Sequence, residues 1–281
     1  MTARADDKAD DREGPVVVKL GGDVLEGPAL DLCAADLGGM WKAGRHRVLV
    51  VHGGGPQATR LSERLGMTPR LVAGRRITDQ PTLDVMKMIV SGQVNVDLVA
   101  ALRAHGVPAL GLSGASGIVR SRRRPPTVVA GGGDLPIDFG LVGVVEGFDL
   151  SLLGLLVNAG FCPVLGCLGL APSGVVLNIN ADTVASQLAA AVGAPALVAV
   201  TAVGGVRRDR NDPTTRLARL TAAEARAAVD SGAVQGGMIP KLQEALSSLD
   251  AGVGVVHIVA PGEVGAALAA PGSVGTLLVP D

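Results

Sequence analysis

The 281-residue sequence predicts an α/β fold, a three-layer αβα sandwich around a central, mainly parallel sheet. Three observations carry this. The strongest β candidates are continuous apolar runs rather than alternating ones, as strands buried on both faces require. Helical apolar periodicity fills the intervals between them. The residues are 48% hydrophobic yet include only three Phe, one Trp and no Tyr, so the core must be aliphatic.

The first strand is 15–20, where Val16, Val17 and Val18 run into Lys19, Leu20 and a Gly21-Gly22 turn. A helix over 28–43 begins on Pro28, a residue suited to a first helical turn. The strand 48–52 ends at His52 and opens into Gly53-Gly54-Gly55-Pro56. Amphipathic patterns predict helices over 57–65, 82–90 and 94–104, and the strand 109–112 leads into a further glycine-rich turn at 113–117. Pro125-Pro126 within 120–130, and the glycine run 131–133, predict a hairpin and an irregular excursion. A buried helix at 150–157 and strand at 161–165 are followed by a second such pair, 183–192 and 197–201. Helices over 222–229 and 241–249 and a strand at 255–259 complete the alternation. The segment Ala171-Pro172-Ser173-Gly174 is the best boundary between an N-terminal lobe, 15–172, and a C-terminal lobe, 173–281, although strands could pair across it.

Lys+Arg 25 against Asp+Glu 26 leaves the chain almost neutral and, with 1% aromatics, without the basic footprint or stacking rings of a nucleic-acid binder. Mean hydropathy is +0.40, and 150–181 and 183–206 carry no charge. Asn158-Ala159-Gly160, Pro163 and Gly193-Ala194-Pro195 interrupt them, so they predict helix–strand pairs and no membrane span. Eight of the first fourteen residues are charged, with no apolar run for a signal peptide. A disordered tail over 1–14 and a cytoplasmic location are therefore expected. Cys33, Cys162 and Cys167 have no CxxC spacing and read as small buried hydrophobes in a reducing compartment.

Ligands of an open parallel sheet sit beyond the carboxyl ends of its strands. Three glycine-rich turns follow strands here, at 21–22, 53–55 and 113–117, and such turns admit an anion to backbone N–H groups and helix N-termini. No Walker A string is present. Gly53-Gly54-Gly55-Pro56-Gln57-Ala58 satisfies a GxGxxA dinucleotide pattern but lacks an acidic residue at the end of the next strand, which leaves an NAD-dependent oxidoreductase as a rival. Only five of the 25 basic residues are Lys, and two of them, Lys19 and Lys241, stand beside glycines, where a compact ammonium suits phosphate oxygens. Asp182, the sole charge between Asp149 and Arg207, needs cationic partners, and the two lysines are candidates; the alternative is a helix cap by Asn180 or Asp182.

The strings KLGG at 19–22, HGGGPQ at 52–57, GRRITD at 74–79, NINAD at 178–182 and GGMIPK at 236–241 resemble, in order and spacing, the acetylglutamate kinases of the amino-acid kinase family. The resemblance covers the chain from about residue 15 to its end. It implies ATP- and Mg²⁺-dependent phosphorylation of the side-chain carboxylate of N-acetyl-L-glutamate, in arginine biosynthesis. Lys19 and Lys241 would then stabilise the transferring phosphoryl group while Asp182 orients both. Gly54, Gly55, Arg76 and Asn178 would bind the amino-acid substrate. Gly21, Gly22, Thr201, Gly204, Gly205 and Val206 would bind the nucleotide, and no protein metal ligand is implied. A carboxylate nucleophile needs no general base, in keeping with a site built on positioning and charge.

The chain departs from the family pattern at Ala202, where an acidic residue is usual, at 113–117, and at Gln93 and Val96, which replace lysines. The resemblance further implies a homodimer formed through the N-terminal lobe and, since the tail lacks a helical apolar stripe, one insensitive to arginine. A sister kinase acting on carrier-protein-linked aminoadipate or glutamate in lysine biosynthesis, and a non-catalytic ligand-sensing regulator, stay open as alternatives.

Overall fold

The computed structural model describes residues 14–129, 131–209, 212–232, 234 and 238–281. The expected tail, and Gly236-Gly237 of the GGMIPK string, lie outside the described residues apart from Gly14. In chain order the elements are β1 (Val16–Leu20), α1 (Gly27–Ala43), β2 (Val48–His52), α2 (Gly55–Arg64), β3 (Leu71–Val72), β4 (Arg75–Arg76), α3 (Gln80–Met86), α4 (Val94–Ala104) and β5 (Ala109–Ser113). There follow β6 (Val119–Arg123), β7 (Gly143–Phe148), α5 (Leu150–Asn158), β8 (Cys162–Gly166), β9 (Leu168–Leu170), β10 (Val176–Asn178), α6 (Ala181–Ala191) and β11 (Ala196–Val200). The chain ends with β12 (Arg219–Thr221), α7 (Ala222–Asp230), α8 (Met238–Asp250), β13 (Val255–Val259), α9 (Val264–Ala269) and β14 (Thr276–Val279).

Eight strands form one sheet in the order β12-β14-β13-β11-β1-β2-β8-β5, parallel at every step except β13 to β14. The predicted central sheet is thus present, and it is continuous. β1 pairs with β11 on one side and β2 on the other, with Leu20 opposite both Val200 and His52, so the two predicted lobes share their middle strands. β1, β2 and β8 are buried along their whole length, as the mostly apolar residues of all three allow. The helices sort into two groups, α1 with α4 and α9, and α6 with α7 and α8, which make the outer layers.

The helical segments expected at 82–90 and 94–104 are joined. Between α3 and α4 the chain winds in a wider, π-type turn over Lys87–Gln93, with Gly92 in a non-helical conformation (φ −107°, ψ −105°). The run Gln80–Ala104 is the described helix long and apolar enough, by length and composition alone, to cross a membrane. Leu83, Val85, Ile89, Val90, Leu98 and Leu102 of this run belong to the buried set. Segments 150–181 and 183–206 fold as helix followed by strand, as their interruptions predict.

A smaller sheet, β10-β9-β6-β7, covers the predicted hairpin and excursion. The Pro/Ser/Gly segment at 171–174 is its tight turn: the Ala171 N–H donates to Val175 O and the Gly174 N–H to Ala171 O, so β9 and β10 form a hairpin across the expected boundary. Cys33, Cys162 and Cys167 are buried free thiols, pushed up to about 12 chiefly by burial. Short elements at the end of the chain, β12, α9 and β14, are absent from the sequence-based expectation, since three to six residues carry too little periodicity to stand out.

Because the core is aliphatic and close-packed, single truncations leave voids that rings cannot fill. Leu98, fully buried on α4, is the test: Leu98→Ala lowers the unfolding free energy by about 2–5 kcal/mol. It should be read as a lower urea midpoint with an unchanged m-value.

Candidate active site

β1, β2 and β11 end side by side, and the turns beyond their carboxyl ends make the site. Lys19 occupies the penultimate position of β1, with its side chain 10% exposed, and its ammonium meets the Asp182 carboxylate at 2.6 Å. Asp182 stands in the first turn of α6, where the helix dipole favours an anion. The cap itself is Asn180, whose side-chain oxygen accepts the Asp182 N–H at 2.8 Å. Both alternatives weighed for NINAD therefore hold: Asn180 caps the helix, and Asp182 is left for the lysine.

Lys19, Asp182, Thr201, Lys241 and Glu244 line a cavity whose inner wall is apolar, with Leu197 and Val256 among its residues. Lys241 comes from the first turn of α8 and Glu244 from the next, three residues on, so one helix face presents both. Burial first of all holds the Lys241 ammonium below its usual range; the Asp23 and Asp182 carboxylates oppose that shift and the Lys19 ammonium adds to it. Burial raises the Glu244 carboxyl, Asp182 reinforces it, and the charges of Arg75 and Lys19 work against it.

A second cluster lies at β4. Arg76 donates through Nη2 to Gly55 O at 3.1 Å and Thr59 Oγ1 at 2.7 Å, while its Nη1 is buried without a partner. Asn178 donates to Thr78 Oγ1 at 3.1 Å, two residues beyond Arg76, and its own N–H donates to Leu141 O. Arg76, Thr78 and Asn178 are thus brought together across a hundred residues of chain. Gly54 and Gly55 begin α2, which has no side-chain cap, so its first N–H groups are open to a ligand.

The two glycine turns are pressed together. A Cβ on Gly22 would stand 2.6 Å from Pro56 Cδ, and Gln57 Nε2 donates to Gly22 O at 2.8 Å. Below them His52, fully buried, contacts Gly53 O through Nδ1 at 2.9 Å and the Asn95 amide through Nε2 at 2.8 Å; a neutral ring protonated on Nδ1 satisfies both. Asn95 Nδ2 also donates to Val164 O at 3.0 Å, tying the turn after β2 to β8 and α4.

In the loop after β11, the Gly204 N–H donates to Thr201 O at 3.2 Å and the Val206 N–H to Thr276 Oγ1 at 2.8 Å. Val206 is wholly buried beneath the loop. Sequence patterns missed Asp23, Glu244, His52, Asn95 and Gln57. For Glu244 the signal was available, as the helical i+3 spacing from Lys241. For Asp23 it was not, because its partner, the Ala202 N–H at 3.1 Å, is 179 residues away.

Residues 14–260 match the amino acid kinase family. The chain belongs to that family. Among the relatives of this amino acid kinase, the acetylglutamate kinase of Sorangium cellulosum is 53% identical over 271 residues, covering 95% of each chain. That of Anaeromyxobacter dehalogenans strain 2CP-1 is 53% identical over 270 residues, 95% of this chain and 99% of its own. Among solved structures, N-acetylglutamate synthase from Neisseria gonorrhoeae, in complex with coenzyme A and N-acetyl-glutamate, superposes with a TM-score of 0.78 at 26% identity. The match covers 95% of this chain but only 60% of the synthase. Carbamate kinase from Giardia lamblia bound to AMP-PNP shares the fold, with a TM-score of 0.69 at 17% identity over 96% of this chain and 99% of that one.

Burial holds the imidazoles of both His52 and His257 down to about 4, against an ordinary 6.5. Each is neutral when folded and takes up a proton when unfolded, so stability is constant above about pH 6.5 and falls as pH drops from there toward about 4. Urea melts at pH 7.5 and pH 5 should show this loss, and His257→Gln should reduce it, the remainder belonging to His52. Equal stability at both pH values would contradict the assignment.

Proposed function

We propose that this amino acid kinase transfers the γ-phosphoryl group of ATP to the side-chain carboxylate of N-acetyl-L-glutamate, forming an acyl phosphate and ADP in arginine biosynthesis. The observation that carries this is the convergence of Lys19, Asp182 and Lys241 on one cavity beside two glycine turns. A carboxylate oxygen forms the new bond to phosphorus, the bond to the bridging oxygen of ADP breaks, and ADP leaves with that electron pair. The nucleophile is ionised at neutral pH, so the site has only to align the reactants and neutralise charge.

Lys19 and Lys241 stabilise charge on the transferring group, and Asp182 fixes Lys19 by its 2.6 Å contact. Gly21 and Gly22, and the loop of Thr201, Gly204 and Gly205 resting on Val206, form the nucleotide side. Gly54, Gly55, Arg76 and Asn178 form the substrate side, where the unpartnered Arg76 Nη1 suits one oxygen of a substrate carboxylate. On this basis the N-terminal lobe, 15–172 with the hairpin continuing through Asn178, takes the amino acid, and the remainder to 281 takes ATP. A Mg²⁺ ion would arrive on ATP and would add charge neutralisation at the phosphates, beside the cavity that Asp182 and Glu244 line. No carrier-linked substrate or nicotinamide is needed to account for these residues, and 53% identical relatives bear the kinase name.

The buried free thiols suit a reducing cytoplasm. Exposed Met88 and Val96, on the run from α3 to α4, give a homodimer apolar surface on the N-terminal lobe. Light scattering should find two copies, and activity should be insensitive to arginine; a hexamer or arginine inhibition would refute this.

The decisive experiment is ATP turnover with N-acetyl-L-glutamate, the acyl phosphate being trapped as a hydroxamate by hydroxylamine. The wild type should turn over, and Lys241→Ala or Asp182→Ala should lower kcat by about 10²–10³-fold. No turnover in the wild type would sink the substrate assignment. Arg76→Lys, which loses the planar fork, should raise KM for N-acetyl-L-glutamate by about tenfold or more and leave KM for ATP nearly unchanged.

A further inference from the structure

Asp23 follows the Gly21-Gly22 turn in a single 3₁₀ turn, Gly22–Val24, and its carboxylate folds back across the end of the sheet. The β1–β11 ladder reaches its last backbone rung beyond the strands where the Gly21 N–H donates to Val200 O at 3.2 Å. One step further the backbone of β1 has turned away, and Asp23 Oδ2 accepts the Ala202 N–H at 3.1 Å. A side chain thus supplies the acceptor that the departing strand no longer offers. The neighbouring N–H groups of this loop are held by other partners: Thr201 by Val259 O at 2.9 Å and Gly204 by Thr201 O at 3.2 Å.

Gly21 makes this reach possible. A Cβ there would stand 2.2 Å from Asp23 Oδ1 and 3.3 Å from Val200 O, so any other residue would push the carboxylate off its acceptor position. The same carboxylate also acts on Lys241, as the larger of the two anionic influences on that ammonium, ahead of Asp182. One side chain therefore touches the loop after β11 and borders the turn after β1.

We infer that Asp23 is a positioning residue for nucleotide binding, which clamps the loop after β11 to the glycine turn after β1. The inference rests on the kinase function proposed above. The clamp holds the two nucleotide-side turns at one spacing before ATP arrives, so that binding does not have to order them. Of the charged groups around Lys241, Lys19 on β1 opposes its ammonium, Asp182 on α6 supports it, and Glu244 faces the same cavity from the next turn of α8. Asp23 is the one among them that is also bonded to the nucleotide-side loop.

The test compares wild type, Asp23→Ala and Asp23→Asn in two measurements: ADP affinity by calorimetry without the amino-acid substrate, and the pH profile of kcat/KM for ATP, with circular dichroism melts to verify folding. Asp23→Ala should weaken ADP binding about tenfold, the loss of one hydrogen bond to a charged acceptor, while KM for N-acetyl-L-glutamate stays within about twofold. Asp23→Asn, whose amide oxygen can still accept from Ala202, should bind ADP within about threefold of wild type. In both variants the basic limb of the profile should move to lower pH, because Lys241 has lost an anionic neighbour. Unchanged ADP affinity in Asp23→Ala, or an Asp23→Asn variant as weak as Asp23→Ala, would overturn the clamp while leaving the kinase function standing. A wild type that neither binds ADP nor turns over ATP would bring down both.

Discussion

The ammonium of Lys19 is held at the end of the central strand of an aliphatic sheet, almost out of water, and most of the molecule is arranged around that placement. A buried cation of this kind has to be answered by an anion at contact distance, since desolvation is not recovered by distant charges. Asp182 answers it at 2.6 Å. For Asp182 to be there, α6 must begin above the end of β1. That in turn requires the long crossover from the first half of the chain to return and lay β11 beside β1. The ion pair and the β1–β11 pairing are two aspects of one geometric condition, and neither half of the chain meets it alone.

Once that condition is met, the chemistry needs few further groups. α8 brings Lys241 and Glu244 to the same cavity, so two ammonium groups and two carboxylates line it. The parallel strands deliver their turns to one edge, where glycine lets backbone N–H groups come close to an anion. The second cluster is built differently, from the guanidinium of Arg76 and the amide of Asn178, linked through Thr78. On the proposed function, planar, directional donors sit where a carboxylate is to be recognised, and compact point charges where charge develops and moves.

The turns that meet the ligands are held from below by buried polar groups. Gln57 anchors Gly22, His52 anchors Gly53, and Asn95 joins His52 to β8. These bonds lie in a core that offers no competing water, so each is worth more than a surface bond and would be costly to break. The wider helical turn over Lys87–Gln93 belongs to the same arrangement. It passes close to the turn after β2, where a Cβ on Gly54 would come within 3.1 Å of Ile89 Cγ2. Flexible glycine turns thereby gain a fixed shape without gaining side chains that would block the ligand.

The layer order and the main strands were legible in the sequence because burial on both faces leaves a plain mark: Val16 to Val18, Val48 to Val51 and Leu197 to Val200 have no alternation to confuse with anything else. The scarcity of lysine likewise singled out Lys19 and Lys241, and the isolation of Asp182 in an apolar stretch required a cation. Local propensity could not decide that two helices at 82–104 would join through a π-type turn, nor that 171–174 would close a hairpin rather than separate two lobes. The hairpin at 171–174 leaves the two-lobe division itself open, and both outcomes depend on what packs against the segment. The reach of Asp23 to Ala202, the turning of Glu244 toward Lys241 and the burial of His52 under the turn after β2 were settled by tertiary structure alone. A hydrogen bond between residues 179 positions apart exists only after the sheet has brought β1 and β11 together, and no pattern along the chain records it.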